Sequence, residues 1–167
     1  MLESNSVSNP TTLGLKIHND ADGVHVDETY YKQIVGSLMY LTSTRPDLMY
    51  ATSLLSRYMA KPTMLHLQIA KGILKYLKGT MNLGIFYKKG SQPEELEAYI
   101  DTDYAGDSDD RKSTSGYAFL LSSGVVALSS KKQPIVTLST TEAEFCGSNC
   151  MCLSSHLDEE DTQGDDL

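Results

Sequence analysis

A chain of 167 residues with 40% apolar and 22% charged residues excludes a disordered polyelectrolyte and suits one domain or two small ones. Its formal net charge of −8 argues against a uniformly basic nucleic-acid-binding surface. The acidity is local: positions 158–167 hold six acids and no Lys or Arg, and the remaining body carries 14 basic against 16 acidic residues, a net of −2.

The opening MLESNSVSNP has neither a basic start nor an apolar run, so no secretory signal is expected. No apolar stretch approaches the roughly 20 residues of a membrane-spanning helix. A soluble intracellular protein, cytoplasmic or nuclear, is the expectation. Residues 1–28, rich in Ser, Asn, Asp and Gly, read as an irregular or weakly stranded lead-in. Ile34, Leu38 and Leu41 recur at helical spacing and predict a helix over 29–41, with Tyr30 and Tyr31 at its start. Thr44-Arg45-Pro46-Asp47 opens a second helix, with proline near the first turn and an acid at the positive end of the dipole. Its apolar face is Leu48, Ala51, Leu55 and Tyr58, and it stops before Pro62. Thr63 caps a third helix whose stripe is Leu65, Ile69, Ile73, Tyr76 and Leu77, ended by Gly79. Positions 29–80 therefore predict a small helical module.

Leu83–Lys88 alternates Leu, Ile, Tyr and predicts a strand, with a turn at Gly90-Ser91-Gln92-Pro93. Strands are predicted over 96–102, 114–121 and 125–130, with a polar loop at 103–113 and a tight turn at Ser123-Gly124. A helix begins near Thr140, where Thr141 and Glu144 have capping-box spacing. Asp101 falls at a strand end and Glu144 in the first turn of that helix. Two carboxylates delivered by different elements are half of a divalent-metal site, although a carboxylate placed like Glu144 is equally a simple cap.

Four signatures in this half resemble the ribonuclease H domain of copia-type retrotransposon Pol polyproteins. They are D-x-D-x-A-G-D at Asp101–Asp107, R-x-S-T-S-G-Y at Arg111–Tyr117, S-S-K-K-Q at Ser129–Gln133 and L-S-T-T-E-A-E-F at Leu138–Phe145. The resemblance extends upstream, through V-D-E-T-x-Y-K-Q-I-V-G-S-L-M-Y-L, to the segment just past the reverse transcriptase palm, and makes Met1 look like an internal methionine of a longer frame. It implies an α+β fold: a small thumb- or connection-like helical module at 29–80, then an incomplete RNase H-like three-stranded antiparallel meander and first helix at 82–145.

The activity it implies is hydrolysis of RNA in RNA–DNA hybrids by a pair of Mg²⁺ or Mn²⁺ ions held by about four acids. Matched residue by residue, Asp101 is the first-strand acid and Glu144 the first-helix acid. Asp103, on the same face as Asp101, is an accessory metal ligand, and Glu142 a solvent-side neighbour. No residue matches the remaining acids, and the sequence stops before the fourth strand, so Asp101 and Glu144 are expected to be vestigial and a metal cofactor is expected only if activity survives. Lys71, Lys75 and Lys78, on one flank of the third helix, are the candidate contacts to nucleic-acid phosphates. Lys131, Lys132 and Gln133 are candidates in the loop after the third strand. Solvated surface explains either group equally well.

After Phe145 the resemblance breaks off. Permitted codons for 146–167, read one base later, can encode VAATACACQAIWMRRILKEMI, an amphipathic helical peptide similar to the family's continuation. A single-base insertion near codon 145 therefore accounts for the tail, and sequencing the coding DNA tests it. The tail is then expected to be disordered. Cys146, Cys150, Cys152 and His156 have irregular spacing for zinc, and an odd cysteine count argues against a disulfide framework. Three functional classes follow: a non-catalytic binder of hybrid or duplex, a residual nuclease, and an interaction protein that uses an exposed sheet edge. No membrane partner is expected.

Overall fold

Helical periodicity in the first half of the chain becomes three helices around one core. In a computed structural model, which describes residues 4–11, 17–87, 96–121 and 124–149, α1 spans Glu28–Leu41. Asp27 caps it by accepting the Thr29 N–H at 2.8 Å. Tyr31, Val35 and Leu38, spaced by four and three, are fully buried, as one face of a 3.6-residue period requires. A 3-10 turn at Pro46–Leu48 leads into α2, Met49–Ser56, and α3 follows at Met64–Gly79. Leu48, Ala51 and Leu55 close on Tyr31 and Val35, and Ile69, Ala70, Ile73 and Tyr76 complete the cluster. Buried hydroxyls find partners: Tyr31 donates to the Leu55 carbonyl at 3.0 Å, and Tyr58 to that of Ile17 at 3.0 Å. Among the described residues, the lead-in forms one bridge, His25 to Thr63.

The second half is a meander, with β1 at Leu96–Asp103, β2 at Thr114–Leu121 and β3 at Gly124–Lys132, in the order β1-β2-β3. A final helix, α4, runs over 140–149. These are the strands and helix the residue pattern predicts. The expected turn at Ser123 and the segment Gly90–Pro93 lie outside the described residues.

The strand expected at Leu83–Lys88 does not form over 83–87, which is irregular. The alternation is used differently. Tyr87 donates to the Val125 carbonyl at 2.7 Å, and its ring lies against Gly124, where a Cβ would collide with it. The aromatic ring thus caps the start of β3 instead of entering a ladder. The capping residue of α4 also differs from expectation. Ser139 Oγ accepts the Glu142 N–H at 3.2 Å, and Glu142 Oε2 accepts the Leu138 N–H at 2.7 Å. The capping pair is therefore Ser139 and Glu142, not Thr141 and Glu144. The orphan donors of the first turn begin one or two residues before Thr141.

Register assigns the two faces of the sheet. Asp101 pairs with Gly116 and Gly116 with Ser130; Asp103 pairs with Thr114 and Thr114 with Lys132. That face meets the helical module: Ser53 Oγ donates to Ser130 Oγ at 3.2 Å, and Arg57 to Thr114 Oγ1 at 3.0 Å. The opposite face carries Thr102, Ser115, Tyr117 and Phe119. There α4 docks through Gly147, where a Cβ would stand 2.7 Å from Thr102 Oγ1.

Candidate functional site

Strand β1 presents Asp101 and Asp103 with Thr102 between them, so the pleat sends both carboxylates to the helical-module side. They line a cavity of about 550 Å³ between the sheet and the second helical stretch, together with Pro46, Asp47, Tyr50 and Tyr99. The Asp103 carboxylate folds against Gly106 so closely that no Cβ fits there. Asp47 is already committed, to Arg45 at 2.8 Å and to the Tyr76 hydroxyl at 2.8 Å. Hydrogen bonds from Arg45 hold its carboxyl below the usual range.

Glu144 stands elsewhere. Its helix packs on the opposite face, where Ala143 is buried and its carbonyl accepts from Gln133 Nε2 at 2.7 Å. Glu144 is exposed and lies outside the cavity that Asp101 and Asp103 line. Among the described residues no three His, Cys, Asp or Glu side chains are grouped to hold a metal ion. A clamp for paired divalent ions needs a dense set of carboxylates at one point. The residues present do not fit one, because Asp101 faces the helical-module side of the sheet, whereas Glu144 belongs to α4, docked on the other side. Of the C-x3-C-x-C-x3-H set only Cys146, half-buried and unpaired, is described; Cys150, Cys152 and His156 lie outside the described residues, as does the acidic tail.

The basic candidates divide. Lys71 and Lys75 are half-buried on α3, and neither is in an ion pair among the described residues. Lys78, one turn on, donates to the Ser4 carbonyl at 2.9 Å. Lys131 is exposed. Lys132 and Gln133, expected against a substrate backbone, are used internally. Lys132 Nζ lies 2.6 Å from Asp107 and 2.9 Å from Asp110. Gln133 is only 3% exposed, and its amide bridges Ser115 Oγ and the Ala143 carbonyl, each at 2.7 Å. Gln133 thus ties α4 to the sheet, a role that its place at the end of β3 gives it and that S-S-K-K-Q alone does not reveal.

Asp107, the last acid of the D-x-D-x-A-G-D motif, is the missed residue. It is 7% exposed, bridges Lys132 and, at 3.3 Å, Arg57, and accepts the Asp109 N–H at 2.9 Å. Burial acts to raise its pKa, but the Lys132 hydrogen bond and the backbone N–H groups overcome that and hold it low. Asp107 therefore joins α2, β3 and its own loop.

No family model matches the chain, and no solved structure matches it. Among known proteins, the retrovirus-related Pol polyprotein from transposon RE1 of Arabidopsis thaliana is 47% identical over 145 residues, covering 87% of this chain and 10% of that protein. The corresponding polyprotein from transposon TNT 1-94 of Nicotiana tabacum is 40% identical over 152 residues, or 87% of this chain and 11% of that one. Secreted RxLR effector protein 161 of Plasmopara viticola is 43% identical over 116 residues, or 69% of this chain and 81% of that one. The chain spans about a tenth of the length of the Pol polyproteins it matches. No helix among the described residues is long and apolar enough to cross a membrane. By these similarities across most of its length, the chain belongs to the copia-type retrovirus-related Pol polyproteins of transposons.

Proposed function

We propose that this retrotransposon-derived chain corresponds to the end of the reverse transcriptase and the start of its RNase H domain, and that it binds RNA–DNA hybrid or duplex without cutting it. The observation that carries this reading is the separation of the two matched acids: Asp101 lines the cavity on one side of the sheet, and Glu144 belongs to the helix docked on the other. No hydrolytic step is built on that arrangement. Binding is supported by Lys71 and Lys75, a turn apart on one helix flank and without carboxylate partners among the described residues, and by the exposed Lys131. Cations at this spacing suit successive phosphates, and affinity gained by counterion release falls as salt rises.

The test is a labelled RNA–DNA hybrid incubated with the chain and Mg²⁺ or Mn²⁺, with binding followed in parallel across a salt series. We expect no cleavage and a salt-sensitive affinity that drops about tenfold or more when Lys71→Glu and Lys75→Glu are combined. Cleavage abolished by both Asp101→Asn and Glu144→Gln would establish the residual nuclease instead. Binding unchanged by the lysine substitutions would remove the assigned interface.

A further inference from the structure

The cavity between the sheet and the second helical stretch is floored by small residues of the middle strand. Register sets Ala118 between Tyr99 and Leu128, and Gly116 between Asp101 and Ser130. Gly116 brings no side chain and Ala118 only a methyl group, so the space of about 550 Å³ opens over β2 with larger side chains on either side. Pro46, Asp47 and Tyr50 face it from the helical module. Hydrogen bonds from Ser53 to Ser130 and from Arg57 to Thr114 hold that module over the sheet. A space of this size, mostly apolar with a few polar groups at its margin, is of the kind that takes up small molecules.

The margin has a definite chemistry. Tyr50 and Tyr99 contribute aromatic rings, and Asp101 and Asp103 contribute carboxylates. The Tyr99 hydroxyl donates to Glu97 at 2.7 Å, so the ring is what Tyr99 offers the cavity. Burial first, and then the nearby Asp103 carboxylate, raise the pKa of Tyr50, which places that ring beside the acids. Asp47 is spent on Arg45 and Tyr76. Among the described residues no Lys or Arg lines the space.

We propose that this cavity binds a small organic cation, a protonated amine carried on a compact apolar body. The ammonium group is held by Asp101 and Asp103 in charge-assisted hydrogen bonds. The body lies over Gly116 and Ala118, beside the Tyr50 and Tyr99 rings, whose electron-rich faces favour a neighbouring positive charge. An anion or a phosphate ester is repelled by the same carboxylates. A bare inorganic cation satisfies the acids but leaves the apolar floor uncovered.

The probe is phenylethylamine, titrated into the full chain and followed by the shifts of backbone amide resonances. Phenylethanol keeps the body without the charge, and methylammonium keeps the charge without the body. We expect saturable shifts centred on Gly116 and Ala118, with each partial probe at least about tenfold weaker. Asp101→Asn combined with Asp103→Asn should cause a similar loss. So should Ala118→Leu, which fills the floor and alters no charge. Both aspartates are exposed and Ala118 is half-buried; circular dichroism melts check that the variants fold. If Ala118→Leu does not fold, the three probes compared on the unaltered chain still decide. Lys71→Glu should leave the affinity unchanged, which separates this site from the proposed nucleic-acid flank. Methylammonium binding as tightly as phenylethylamine would reduce the effect to undirected charge attraction and overturn the proposal. Binding that survives Ala118→Leu, or shifts that do not saturate, would overturn it too.

Discussion

The two halves of the molecule differ in how they are held together. In the helical module, apolar stripes from three helices meet, and Tyr31, Val35, Leu38, Leu48, Leu55 and Ile73 are fully buried. In the meander no strand residue belongs to the buried apolar set; apart from Ala143, that set lies between Ile17 and Tyr76. The sheet is organised by polar contacts: Asp107 with Lys132 and Arg57, Gln133 with Ser115, Thr102 with Ser115. Backbone pairing sets the shape of a meander, but an apolar layer on at least one face is what makes it independently stable. Here Leu96, Tyr99, Val126, Leu138 and Phe145 remain at least 49% exposed. The meander therefore depends on its attachment to the helices.

Truncating one apolar residue in each half tests that contrast with the largest effect. Leu55→Ala should cost about 2–5 kcal/mol, because a closed core cannot collapse into the space left. Ile100→Ala, at a residue 38% exposed, should cost less than about 1 kcal/mol. Urea unfolding followed by circular dichroism measures both. Comparable losses at the two sites would mean that the sheet has a core of its own.

The attachment itself rests on Asp107. Replacing it with Asn removes the charge that Lys132 and Arg57 share and leaves two half-covered cations without a counterpart. We expect a loss of about 1–3 kcal/mol, discounted from a fully buried pair because both cations reach solvent. Hydrogen exchange should show the loss first in β2 and β3, with α1 and α3 protected as before. Simultaneous loosening of the helices would show that the halves unfold as one unit.

What could be read in the sequence follows the same division. Helices were legible where a stripe faces a core, but the stripe in α1 is turned from the expected one: of Ile34, Leu38 and Leu41 only Leu38 is fully buried, together with Tyr31 and Val35. The strands of the meander were legible from alternation, even though in β1 it separates acids from apolar residues rather than inside from outside. Leu83–Lys88 alternates as well and forms no strand over 83–87, because alternation reports compatibility with a pleat and cannot supply a neighbouring edge. Gln133 and Asp107 were illegible because their partners, Ala143 in one case and Arg57 in the other, are distant in sequence and chosen by packing. The acid pair shows the limit most sharply. The family resemblance matches Asp101 and Glu144 to one site, but only register and docking show that Asp101 faces the helical module whereas α4, which carries Glu144, packs on the other face of the sheet.

His66 offers the smallest and most selective perturbation of the contrast. Its ring is fully buried, stacked on Tyr58 at 4.2 Å, and held between two backbone groups. Thr63 N–H donates to Nδ1 at 3.0 Å, and the His18 carbonyl lies 3.1 Å from Nε2. The neutral ring with its proton on Nε2 satisfies both; a second proton on Nδ1 would confront a donor. Burial lowers the pKa below the usual histidine value, against smaller opposing contributions from the His18 carbonyl, Asp20 and Asp109. The unfolded chain therefore takes up the proton first. Stability should be level above about pH 6.5 and fall below it, by at most about 1.4 kcal/mol per pH unit, until the folded ring titrates as well. Asp107, with its lowered carboxyl pKa, adds a separate loss only near and below about pH 4. His66→Gln should flatten the upper window and leave the lower one. Because His66 ties the lead-in to α3, exchange protection lost in the upper window should be confined to the helical module. Loss extending equally to β1 and β2 would mean that the polar attachment couples the halves more tightly than their separate cores suggest.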